Sequence, residues 1–217
     1  MRNIVMLLIL IESSAFCQNR RFESFESTNG KSFSYALNLP DGFDVEKTYP
    51  FLIGPGDGTK GSDKSFFWNV QDTGQFDWVL VEFVIWKEDP LIVAELLDLL
   101  NKKYNVEKDK FHMVGFSANS ANTFKIGLQI PEYFTSITGI PGHPRTSDET
   151  AIRSLKGVKI QNIVGENDGY WLRSARDFDK LYKKLGIETT LDIIPNGGHV
   201  LKELIGNGFM TKMEKMR

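Results

Sequence analysis

Serine, aspartate and histidine each follow an apolar segment of this chain, in that order, and together they have the makings of an activated alcohol. Ser117 lies in Gly115-Phe116-Ser117-Ala118-Asn119, Asp168 in Gly165-Glu166-Asn167-Asp168, and His199 in Asn196-Gly197-Gly198-His199. A serine hydroxyl is a poor nucleophile until an imidazole takes its proton, and the imidazole needs a carboxylate to fix its tautomer. The chemistry within reach of such a set is acyl transfer through a covalent serine intermediate, with no metal and no cofactor. Ser117 would attack, His199 would carry the proton, and Asp168 would orient His199.

The serine motif has the shape of a sharp strand-to-helix turn, which needs small residues two positions to either side of the nucleophile. Gly115 meets that need; Asn119 stands where glycine is usual and is expected to crowd the turn. A serine before alanine is also what an ordinary helix cap looks like. The backbone N–H of Ala118 is placed to stabilise an oxyanion. A second donor is expected from the loop Gly54-Pro55-Gly56-Asp57-Gly58, at Gly56 and Asp57, where glycines allow close backbone approach.

Other residues compete for these roles. Glu166 is an alternative acid, two residues nearer its strand. Asp192 lies inside the last strand, where its carboxylate would not reach the base. Of the three histidines, His112 is mid-strand and reads as a packing residue. His143, in Pro141-Gly142-His143-Pro144, is expected to line a substrate pocket, and reads equally as an exposed loop histidine. Trp171 is expected to line the same pocket, and Phe66-Phe67-Trp68 could floor it for an acyl or aryl group.

These residues need a scaffold that presents loops on one edge. Strand signals fall at Ser32–Leu39, Tyr49–Ile53, Trp78–Trp86, Phe111–Val114, Phe134–Ile140, Val158–Val164 and Thr189–Ile194. Helical periods fall between them, from Pro90, over Ala118–Gln129 and over Trp171–Leu185, with a short helix after about Val200. Alternating strands and helices predict an α/β fold, a mostly parallel sheet with helices on both faces. In such sheets function gathers in the loops at the carboxyl ends of the strands, where Ser117, Asp168 and His199 all lie. The chain leaves no room for a large lid, so the site is expected to be open.

The first residues read differently. Arg2, the apolar run Ile4–Ile11 and the small residues Ser13, Ser14 and Ala15 fit a signal peptide over 1–17, followed by one domain over 18–217. The run is shorter than the about 20 apolar residues of a spanning helix, so no stable membrane insertion is expected once it is removed. A secreted or periplasmic protein is the expectation. Cys17, the sole cysteine, also permits lipidation, but Phe16 before it is bulky for that signal. Composition is that of a soluble globular chain, with 41% hydrophobic and 25% charged residues and a net charge of −2. Its lysines are scattered among acids, which argues against a nucleic-acid partner.

With these motifs assembled, the chain resembles the α/β-hydrolases. The segment from Tyr35 through Gly58, with its Leu39-Pro40-Asp41-Gly42-Phe43, is similar to the opening of the esterase-D and polyhydroxybutyrate-depolymerase-like esterases. The resemblance implies a secreted serine hydrolase acting on carboxylic esters, small or polymer-linked, including carbohydrate-linked acyl or aryl esters. A peptidase with the same triad and a non-catalytic binding module on the same fold are the alternatives. The chain departs from that group at Ile53-Gly54, where the group has His-Gly, and at Asn119.

Overall fold

The computed structural model describes residues 20–55, 76–84, 88–204 and 207–217. The stretch expected to be a leader, Gly56 and Asp57 expected to supply an oxyanion donor, and Phe66-Phe67-Trp68 lie outside the described residues. An eight-stranded sheet organises the rest. Its strands are β1 (Arg20–Glu26), β2 (Ser32–Asn38), β3 (Phe51–Pro55), β4 (Val79–Phe83), β5 (Phe111–Phe116), β6 (Phe134–Ile140), β7 (Lys159–Gly165) and β8 (Thr189–Ile194). Their spatial order is β1-β2-β4-β3-β5-β6-β7-β8. β1 pairs antiparallel with β2, and β2 with β4; every later pairing is parallel.

Side-chain alternation on the strands feeds two cores. On β3 and β4, Phe51, Ile53, Val79 and Val81 face one cluster, while Leu52 and Leu80 face the other. Every residue of β4 is buried, Glu82 included. That burial is tolerable because Glu82 accepts hydrogen bonds from the Arg20 guanidinium and the Asn38 amide, each at 2.7 Å. The first core is closed by α1 (Pro90–Lys103), α2 (Ala118–Gln129), α3 (Glu149–Ile152) and α4 (Gly169–Lys184). The second is closed by α5 (Asn207–Glu214), through Phe209, Met210 and Met213. Among the described residues no helix is long and apolar enough to cross a membrane.

Helix ends follow local chemistry. The Asp89 side chain accepts from the Leu91 N–H at 2.9 Å, Pro90 opens α1, and Lys102 and Lys103 face the negative end of its dipole. α4 ends at Leu185 before Gly186, whose φ of 70° reverses the chain at little cost.

His112 is packed on the second-core side, 3% exposed, with Nδ1 2.7 Å from the Ser136 hydroxyl and its ring edge-on to Trp78. Burial, reinforced by Lys108, Lys159 and Arg217, pushes the imidazole down to about 3, so it is a neutral core residue.

Candidate active site

The turn between β5 and α2 puts Ser117 at φ 49° and ψ −121°, a conformation few non-glycine residues adopt. Several contacts hold it there. The Ser117 N–H donates to the Ile140 carbonyl at 3.0 Å, tying the turn to the end of β6. Its carbonyl accepts from the Ser120 N–H at 3.0 Å and from the Ser120 hydroxyl at 2.5 Å. A Cβ on Gly115 would fall 2.3 Å from Thr123 Oγ1 and 2.6 Å from Ser120 Cα, so only glycine fits that side of the turn.

Asn119 does not crowd the turn. It is half-buried, and the fully buried position is Ser120, which packs under the backbone of Gly142. The requirement for a small residue after the nucleophile thus falls one position later than expected. The signal that points to Ser120 is the glycine-bearing end of β6, which can press close only against a small neighbour. The Asn162 amide holds that end in turn, donating to the Gly142 carbonyl at 2.5 Å and accepting from its N–H at 3.3 Å.

His199 reaches the serine from the loop after β8. Its Nδ1 lies 2.6 Å from Asp168 Oδ2 and its Nε2 lies 2.9 Å from Ser117 Oγ. A carboxylate only accepts, so Nδ1–H donates to Asp168 and Nε2 is left to accept from the serine hydroxyl. The Asp168 side chain is 12% exposed and that of His199 is 40% exposed, so a shielded carboxylate backs a solvent-facing imidazole.

The two loops that carry them are laced together. The Glu166 N–H donates to the Ile194 carbonyl at 3.0 Å and the Asn167 N–H to the Gly197 carbonyl at 2.8 Å. Gly165 permits this approach, because a Cβ there would sit 2.2 Å from the Gly198 carbonyl oxygen. Glu166, the rival acid, turns away and accepts from the Asn196 N–H at 2.9 Å. Asp192 is taken up by Gln161 and Lys212, at 3.1 and 3.0 Å.

Trp171 joins the set, its ring 6.0 Å from that of His199, with Phe116 on another side at 5.6 Å. His143 stands behind Trp171. It stacks on Phe178 at 4.7 Å, meets Trp171 at 5.4 Å, and its Nδ1 lies 2.7 Å from the Pro144 carbonyl. Its ring packs against both Trp171 and Phe178. Ala118 is the first residue of α2, where the N–H has no intrahelical acceptor and points out of the helix start. Tyr170 and Val200 stand exposed beside Asp168 and His199, 64% and 52% accessible, and neither was evident from sequence spacing. β3 ends at Pro55 on the same sheet edge.

No family model matches this sequence, and no curated protein matches it. Solved structures do. A thermostable esterase superposes with a TM-score of 0.63 at 18% identity, over 82% of this chain and 55% of its own. A ferulic acid esterase from Anaeromyces mucronatus, in complex with ferulic acid, superposes with 0.64 at 12% identity, over 88% of each chain. An isopeptidase with bound Astexin3 gives 0.68 at 11% identity, over 91% of this chain and 39% of its own. This chain therefore spans little more than half of the thermostable esterase and less of the isopeptidase. Together with the strand order, these likenesses establish the α/β-hydrolase fold.

Proposed function

We propose that the protein is a serine hydrolase of carboxylic esters, with Ser117 as nucleophile, His199 as general base and acid, and Asp168 as the group that orients His199. One observation carries the reading: the unbroken hydrogen-bonded line Asp168–His199–Ser117, at 2.6 and 2.9 Å, ending on a serine held at φ 49°. Ser117 Oγ adds to the ester carbonyl as its proton passes to His199 Nε2. The oxyanion is received by the Ala118 N–H and by a donor from the Gly56–Asp57 loop. Collapse breaks the carbonyl–alkoxide bond, and His199 protonates the departing alcohol. Water, deprotonated by His199, then attacks the acyl-serine; the acyl–Oγ bond breaks, the carboxylic acid leaves, and His199 returns the proton to Ser117.

The exposed side of His199, and the Trp171, Tyr170 and Val200 surface beside it, suit a bulky or polymer-linked ester better than a buried lipid chain. Stronger turnover of long-chain than of short acyl esters would count against this. The leader-like residues 1–17 support a secreted or periplasmic setting, to be read from the N-terminal mass of the exported protein.

The test is intact mass after treatment with a fluorophosphonate. Wild type should gain one adduct and Ser117→Ala none; a folded wild type that gains none leaves only a binding role for the fold. The isopeptidase likeness keeps amide cleavage in view, and a matched ester and amide differing only in the scissile atom separates the two. We expect the ester to be cleaved and the amide to be left.

A further inference from the structure

We propose that a basic cleft between α2 and the segment after β6 receives an acid-bearing sugar, the carbohydrate part of a polymer-linked ester. The cleft encloses about 550 Å³, and its lining begins at Ala121 and Asn122, one helical turn past Ser117. It runs along α2 to Gln129, roughly 12 Å at the rise of an α-helix. One wall carries Lys125 from α2 and the other carries Arg145, two residues beyond His143.

The charge of this cleft is one-sided. No acidic side chain lines it among the described residues, although the chain as a whole is net negative. The neighbouring acids are engaged elsewhere: Asp148 accepts from the Thr150 N–H at 3.0 Å, and Glu149 pairs with Arg153 and Lys184. Lys125 and Arg145 make no ion pair among the described residues, whereas Arg153, Lys180, Lys183 and Lys184 on the adjoining helices all do. Asn122 and Gln129 supply amides and Thr146 a hydroxyl, over a floor that includes Leu128. Two unengaged cations, polar groups that can donate and accept, and an apolar floor match a sugar ring with a carboxylate. A neutral acyl chain would leave both cations idle.

This proposal rests on the ester-hydrolase reading only for its link to turnover, so binding is measured first. Trigalacturonate and its carboxyl-reduced counterpart are titrated into the wild-type protein by calorimetry, with triglutamate as the acidic peptide control. The acidic sugar should bind at least about ten-fold tighter than the reduced one, and more weakly as salt is raised. Lys125→Glu and Arg145→Glu should each weaken it several-fold, and together by more than about ten-fold. Equal affinity for both sugars, indifference to the double variant, or preference for triglutamate would overturn the proposal.

A second arm follows turnover of a feruloyl ester on the acidic sugar against a small neutral feruloyl ester. The double variant should lose the first selectively and keep the second. Wild type that cleaves neither and gains no fluorophosphonate adduct sinks the hydrolase reading, while the binding titration still decides the cleft.

Discussion

Asp168 and Glu166 sit two residues apart on one loop, and only Asp168 faces His199. Spacing could not choose between them, because both are acidic and both follow β7. Geometry separates them by the direction of the chain between Gly165 and α4, where Asp168 takes φ −91° and ψ 70° and leaves its own helix uncapped. Asp168→Asn should lower kcat on the order of 10⁴-fold with folding intact, since an amide no longer fixes the tautomer. Glu166→Gln should change kcat less than about three-fold, since the amide oxygen can still accept from the Asn196 N–H. Steady-state kinetics on a small ester reads both, and equal losses would defeat the assignment. Gly165→Ala is a sharper probe, because its Cβ would drive the Gly197–Gly198 backbone away. A shift of about 1 Å in His199 should cost on the order of 100-fold in kcat, with far less effect on Tm.

At the level of elements, short apolar runs ended by turn residues were the most legible. β6, β8 and α2 fall where apolar pattern and turn residues put them, with the boundaries Phe134–Ile140, Thr189–Ile194 and Ala118–Gln129. β1 left little trace in the sequence, since Arg20-Arg21-Phe22-Glu23-Ser24-Phe25-Glu26 is a solvated edge strand with charges on its open face. α3, a single turn capped by Asp148, is too short to show a period. His112 belongs to this scale as well. Its folded ring is held at about 3 by burial, whereas an unfolded chain titrates near about 6.5. Its contribution to stability is therefore complete above about pH 6.5 and is lost as pH falls toward 3. The loss amounts to at most about 1.4 kcal/mol per pH unit. Urea midpoints between pH 7 and pH 4 should fall more steeply for wild type than for His112→Gln; parallel slopes would remove His112 from the acid response.

Across the whole molecule, the sheet is bounded by β1 at one edge and β8 at the other, with the serine turn near its middle. The sheet edge that carries the candidate site was readable from chain order alone, because parallel strands send every post-strand loop the same way. The positions of Trp171 against His199, and of Ser120 under Gly142, were not, since both depend on contacts between segments far apart in sequence. β8 is only partly buried along its length and has one neighbour, β7, among the described residues. His199 hangs from its far end. Edge strands with a solvated face open before the centre of a sheet does. Turnover should therefore act as a gauge of local opening: in rising urea, ester cleavage should fail while tryptophan fluorescence and β5 amide exchange still report a folded core. Coincident loss of all three would mean that β8 opens only with the rest.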